Sequence, residues 1–493
     1  MSAPREPLRR VVVAGAGQVG VLAAIGLKRA LPAADVMVLG LPLDPGALAD
    51  RAATALPFTN RLHDRLGIAE DDMVARAHGS HRLVTRYFGW GEPGDTGTMP
   101  YGANIDPALR TRFATEWGGG PRNAAGGQTV PGPAGSLAEV LAEAGRFAVP
   151  PGGAPNPLAE VDYALRWNPG GFHALLVEAA QQLGIQHLPG ELTAIEPDGA
   201  GGIAALAIAG AGRLEADLFV DCTGPAARLL AALPEFALED WSVELPLRRL
   251  ILARPQQGML ALEDRFSLLP QGWLGELAGR DGLQLTLGVA ANVTERDALR
   301  ALGAPPMAGF QLEPGRARAP WLGNVVALGD AAARFEPLGH LNLDLAHRQL
   351  DLLLELLPGR PIEPLERAEY NRRSVLMMDA VRDTIAAHYA APGAQRVFGL
   401  PIVPPQLARA LDQFARRGRL PYREEAPLLG QEFQALLAAL GHRCGAGPQQ
   451  RAGAIRDDQA PARQFRQRAE AALTSAPPYA QWMQRAISPA PAG

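Results

Sequence analysis

Arg9-Arg10-Val11-Val12-Val13-Ala14-Gly15-Ala16-Gly17-Gln18-Val19-Gly20, followed by Val21-Leu22-Ala23-Ala24-Ile25-Gly26-Leu27, is the stretch that decides the fold. A short β-branched run passes through three spaced glycines into an apolar helical pattern. Each glycine has a distinct physical task. Gly15 permits the tight turn, Gly17 lets backbone approach a pyrophosphate, and Gly20 allows close packing of strand on helix. The helix start then offers unpaired N–H groups and the positive end of its dipole to phosphates. Working outward, Ala34-Asp35-Val36-Met37-Val38-Leu39-Gly40 reads as the next strand, completing a strand–helix–strand unit. An acidic residue is expected at the end of that strand to accept from a ribose hydroxyl, and Gly40 stands there instead, with Asp44 nearby.

The 493 residues carry 47% hydrophobic and 20% charged residues, enough apolar material for a large core. With Lys plus Arg at 47 against Asp plus Glu at 51, the formal charge of −4 argues against a nucleic-acid surface. Two cysteines, Cys222 and Cys444, exclude a disulfide scaffold or a cysteine-based zinc site and fit a reducing compartment. No stretch reads as a secretory signal or a membrane span, so a cytoplasmic protein without membrane or nucleic-acid partners is expected, and a homodimer is left open.

Two later stretches repeat the pattern of a strand ending in a small-residue turn: Ala216–Gly224, ADLFVDCTG, and Gly323–Leu338, GNVVALGDAAARFEPL. Ligands of open α/β sheets bind at the carboxyl ends of strands. Asp330 is therefore expected to meet ribitol hydroxyls, with Ala331, Pro337 and Leu338 beside the cofactor; the competing reading is that Asp330 only caps the next helix. Residues 91–160 dissolve into Gly and Pro and are read as an excursion within a discontinuous cofactor- and substrate-binding module, 8–390. The alternating stretch 243–290 predicts an inserted sheet forming one wall of a second pocket, and 391–493 a mainly helical region with an irregular tail.

At family level the sequence resembles the flavin-dependent tryptophan halogenases, relatives of the flavoprotein monooxygenases. The resemblance rests on GAGQVG, Arg65–Asp72 (RLGIAEDD), Ser80–Trp90 (SHRLVTRYFGW), Phe172–Ile185 (FHALLVEAAQQLGI), ADLFVDCTG, Trp321–Leu338 and Glu369–Ala390, in family order over roughly residues 10 to 390. It implies an α/β fold with an FAD-binding Rossmann-like core of the glutathione-reductase and monooxygenase type, carrying an inserted antiparallel sheet and a helical C-terminal region. It also implies reduced FAD from a separate flavin reductase, oxygen, a halide, and hypohalous acid passing to a small aromatic substrate. A lysine and a glutamate act in that chemistry.

The family's chemical residues differ here. Arg82 occupies the lysine place, keeping the charge but not the amine chemistry. Glu336-Pro337-Leu338 is followed by Gly339-His340-Leu341-Asn342, without the family's glutamate or its Ser-Thr pair. The W-x-W-x-I-P motif survives as Trp273-Leu274-Gly275-Glu276-Leu277-Ala278, with a glycine for the second tryptophan, which leaves ordinary oxygenation open. Arg82 and His340 are the candidate catalytic residues, and His81 and Trp273 the candidate substrate-side residues. His173 reads as a satisfied helix histidine, and Tyr370, Asn371, Arg372 and Arg373 as structural pairing groups. The expected function is a reduced-FAD-dependent halogenase or monooxygenase; the alternative is an inactive flavin-fold protein that binds a small molecule or a partner chain.

Overall fold

The computed structural model describes residues 5–102, 135–150, 156–445 and 460–488. Its centre is a six-stranded sheet in the order Trp321–Leu322, Val325–Ala327, Leu218–Asp221, Arg10–Ala14, Asp35–Gly40, Gln186–Pro189. All neighbours are parallel except the first pair. Val11, Val12 and Val13 are fully buried, as a central parallel strand covered on both faces requires. The helix Gln18–Ala30 follows, with Lys28 and Arg29 in its last turn, complementing the dipole. It is flanked by the helices Pro169–Gln182 and Leu341–Glu355. Pro169–Gln182 is capped by Asn168, whose side chain accepts from the Gly171 N–H at 2.8 Å, with Pro169 in its first turn.

The inserted sheet is wider than the stretch 243–290. It has seven strands in the order Pro306–Gln311, Arg249–Ala253, Gln284–Val289, Gly272–Leu277, Glu263–Leu269, Val84–Phe88, Thr96–Pro100. Val84–Phe88 joins it in parallel, which brings the segment carrying Arg82 against the strand carrying Asp264. Residues 103–134 and 151–155 of the expected Gly/Pro-rich excursion lie outside the described residues; its described parts include the strand Thr96–Pro100 and the helix Leu137–Ala144. Beyond residue 391 the chain forms helices at Pro392–Phe398, Pro405–Arg417, Gly430–Ala439, Ala460–Ser475 and Tyr479–Ile487. The last two return to a second apolar cluster with Leu83, Leu137, Leu141 and Phe147. Among the described residues no helix is long and apolar enough to cross a membrane.

Candidate functional site

The glycine loop has the geometry its residue types demand. Gly15 takes φ +107°, and a Cβ there would lie 2.2 Å from the Cys222 carbonyl oxygen. A Cβ at Gly20 would lie 2.0 Å from the Gly15 oxygen, so strand and helix approach as only glycine allows. Gly17 caps the helix Gln18–Ala30 with extended backbone and no side-chain hydrogen bond of its own. The cap is supplied by Asp50, whose Oδ1 accepts from the Val19 N–H at 2.9 Å. Burial pushes the Asp50 carboxyl up to about 6, against the pull of the Val19 N–H, His173 and Arg51. His173 also belongs to this site, donating from Nε2 to the Ala16 carbonyl at 2.6 Å.

A cleft of roughly 520 Å³ opens beside Ala16, Gly17, Gln18, Asp50 and His173. At the strand end where a ribose-binding acid was expected, the space is filled: a Cβ on Gly40 would meet His187 Nε2 at 2.6 Å. Asp44 instead closes a local turn, accepting from the Gly46 N–H at 2.7 Å. Asp330 is buried and accepts from the Ala49 N–H at 2.7 Å, so it holds the first turn of the short helix Leu48–Arg51, which precedes it in the chain, rather than the helix that follows it. Burial raises its carboxyl to about 8, with Asp50 and Asp44 adding to the rise.

Arg51, Leu252, Gln284 and Thr286 line both this cleft and a tighter cavity of roughly 100 Å³, so the two adjoin along a shared wall. The inner cavity is walled by Thr54, Phe266, Trp273, Pro337, His340 and Asn342. The indole missing at position 275 has a local substitute. Phe266 pairs across the strands with Gly275, and a Cβ on that glycine would lie 2.9 Å from the Phe266 ring. Phe266 in turn sits 5.9 Å from Trp273 and 5.2 Å from His340, centroid to centroid. Trp273 is fixed by its N–H to Tyr389 Oη at 3.2 Å, and Tyr389 donates to the buried Glu336 at 2.5 Å.

His340 takes φ +62°, a left-handed conformation uncommon for a residue with a side chain. Its Nε2 lies 3.7 Å from Asp264 Oδ2 and has no hydrogen-bond partner among the described residues. Burial, with Arg82 and Arg166 close by, holds His340 well below the usual imidazole range, so it is neutral. Arg82 and Arg166 are both buried and share the single carboxylate of Asp264, at 3.1 and 3.0 Å. Arg82 also donates to the Ala55 carbonyl at 2.8 Å and lies over the Tyr101 ring. Arg82 and His340 are thus brought together through Asp264.

His81 points the other way, as alternation along the strand Ser80–Arg82 requires. Its ring bonds Glu70 at 2.9 Å and Tyr479 at 3.0 Å inside a shell of Phe147, Tyr163 and Trp482. Asn371 brackets the Trp321 backbone, while Arg372 pairs with Glu369 and Glu424 and Arg373 with Glu355 and Glu425. Cys222 is buried and unpaired. Among the described residues no group of three or more His, Cys, Asp or Glu is placed to hold a metal ion.

A glycine-loop cleft adjoining an aromatic cavity beside an inserted sheet defines an α/β flavoprotein oxidoreductase architecture. The family model for tryptophan halogenases matches residues 10–449, and the chain belongs to that family. Tryptophan 7-halogenase RebH of Lentzea aerocolonigenes is 24% identical over 429 residues, covering 77% of this chain and 76% of that protein. Among solved structures, BrvH, a flavin-dependent halogenase from Brevundimonas sp. BAL3, superposes with a TM-score of 0.84 at 22% identity, over 98% of this chain and 99% of that one. Xcc4156, a flavin-dependent halogenase from Xanthomonas campestris, gives 0.85 at 22% identity, over 99% and 100%.

Proposed function

We propose that this chain uses reduced FAD, delivered by a separate flavin reductase, together with oxygen to halogenate or hydroxylate a small aromatic or otherwise electron-rich molecule. The observation that carries this is that the glycine-loop cleft adjoins the cavity of Phe266, Trp273 and His340, with Arg51, Leu252, Gln284 and Thr286 lining both. The cradle suits FAD: Gly17 leaves room at a helix N-terminus, and an anionic oxygen, that of Asp50, already accepts there. Gly15, Gly17 and Gly20 would hold the pyrophosphate side, and Asp330, Ala331, Pro337 and Leu338 the flavin side. Bound reduced FAD supplies the electrons that activate oxygen.

The chain's own groups do the rest. Phe266 and Trp273 wall the inner cavity against water and offer ring faces to an aromatic substrate. The neutral His340 accepts at Nε2 the proton that the ring carbon loses when the new bond forms. Burial, reinforced by Arg82 and Arg166, keeps that imidazole unprotonated beforehand. One observation favours a non-catalytic reading: Arg82 pairs with Asp264 and donates to the Ala55 carbonyl, and it is not among the residues that wall the cavity.

The test is to incubate the protein with a flavin reductase, a reduced nicotinamide, FAD, oxygen and a panel of indoles and phenols, with and without chloride or bromide. Mass spectrometry then reads product. Halogenated or hydroxylated products, lost when His340 is replaced, are expected. FAD binding without any product would leave the non-catalytic reading.

A further inference from the structure

We infer that Asp50 is a resident occupant of the pyrophosphate cradle, a carboxylate that a bound dinucleotide must displace, so that cofactor affinity is set by the charge on this one side chain. The inference rests on reading the glycine loop as an FAD cradle and adds to it what the chain itself places there.

The placement is direct. Asp50 Oδ1 accepts from the Val19 N–H at 2.9 Å, in the first turn of the helix that the glycine loop opens. A Cβ on Gly17 would fall 2.3 Å from the Asp50 carboxyl carbon, 2.3 Å from Oδ1 and 2.5 Å from Oδ2. The carboxylate therefore lies in the space that this glycine keeps open for close approach. Phosphate and carboxylate want the same thing from a helix start: N–H donors and the positive dipole end. Two anions cannot both have it, because each loses its donors and repels the other.

Displacement needs only the side chain to turn. The backbone of Leu48–Arg51 is held independently: the Ala49 N–H donates to Asp330, and the Gln18 amide donates to the carbonyls of Ala49 and Ala52 at 2.8 and 2.9 Å. The carboxylate is faced by His173 from the helix Pro169–Gln182, by Arg51 from its own helix, by Asp330 from the turn after Val325–Ala327, and by Cys222 at the end of Leu218–Asp221. His173 and Arg51 favour its charge and burial opposes it, which leaves the carboxyl at about 6. Above that pH the charged side chain holds the cradle. Below it the neutral acid no longer competes as an anion.

The experiment is a fluorescence-quenching titration of oxidised FAD into the full chain, wild type and Asp50→Asn, at about pH 8 and about pH 5, with thermal melts confirming that both are folded. The variant is expected to bind about tenfold tighter at the higher pH, the loss of one charge-assisted hydrogen bond to the competitor. At the lower pH the two proteins should agree within about twofold, because the wild-type carboxyl is then neutral too. Equal affinities at the higher pH would overturn the inference while leaving FAD binding intact. Weaker binding by the variant would overturn it too, making Asp50 a ligand of the cofactor instead of its competitor. Failure of both folded proteins to bind FAD would remove the cradle reading itself, and this inference with it.

Discussion

His340 Nε2 stands 3.7 Å from Asp264 Oδ2, and that gap joins the aromatic cavity to a buried ion cluster. On one side of it lie Arg82 and Arg166, both bound to Asp264; on the other lie Phe266 and Trp273. Burial, with the two arginines of the cluster adding to it, keeps the imidazole neutral, and its Nε2 is without a hydrogen bond among the described residues.

His340→Asn follows from that relationship. Asparagine tolerates the left-handed backbone of position 340 but offers no comparable base. Product formation from reduced FAD and oxygen is expected to fall by about a hundredfold or more, the usual reach of a general base. FAD affinity should stay within about twofold, measured by the same fluorescence titration, because His340 lies away from the glycine loop. Equal losses in both would instead signal a collapsed cleft.

Asp264→Asn removes the one carboxylate shared by two buried guanidiniums. Leaving such charges uncompensated costs about 3–5 kcal/mol, far more than the net worth of an exposed pair. Denaturant unfolding should show that loss, and Arg82→Met added to Asp264→Asn should recover part of it by removing one stranded charge. Additive losses in the double variant would mean that the pair is not coupled.

How much of this was legible in the chain depends on how local each signal is. Gly15 and Gly20 declare their roles because turn and packing both lie within one strand–helix unit. Trp273 was legible as a wall residue, but Phe266 was not, since its use depends on pairing with Gly275 across a sheet. Asp264 carried a readable sign: it alternates with the buried Leu262 and Phe266, an inward position where a carboxylate needs a partner. Its partners, from Ser80–Arg82 and Ala164–Arg166, could not be read, because strand pairing is non-local. His173 looked like a satisfied helix residue, and it is satisfied, but by the glycine loop. Gly40 read as a missing ligand because His187, from a strand far along the chain, is what fills the space. Asp50 gave no signal at all; only the path of residues 41–52 brings it to the helix start.

Asp330→Asn tests the burial of the second carboxyl. Its folded pKa of about 8 lies above the ordinary value of 3.8, so the folded chain holds a proton that the unfolded chain releases. Stability from this group is therefore full at acid pH and is lost as pH climbs toward about 8, levelling off beyond it. Asparagine keeps an oxygen for the Ala49 N–H and never ionises. The variant should melt close to wild type near pH 4 and be the more stable protein near pH 8, by an amount on the order of a few kcal/mol. A constant difference across that range would show that Asp330 does not titrate on unfolding.

Gly15→Ala and Gly17→Ala separate the two jobs of the glycine loop. At Gly15 the new methyl meets a backbone carbonyl, that of Cys222, at a φ of +107° that alanine resists. Neither strand nor turn can yield, so unfolding stability should drop by about 3 kcal/mol or more. At Gly17 the backbone is extended and the methyl meets only the tip of the Asp50 side chain, which can rotate away. That variant should fold with stability within about 1 kcal/mol of wild type. Its methyl nevertheless fills the space beside the Val19 N–H, so FAD binding should weaken by about a hundredfold in the fluorescence titration. Gly17→Ala with unchanged FAD affinity would move the phosphates elsewhere, whereas a loss of affinity in a folded protein puts them on the helix start that Asp50 now caps.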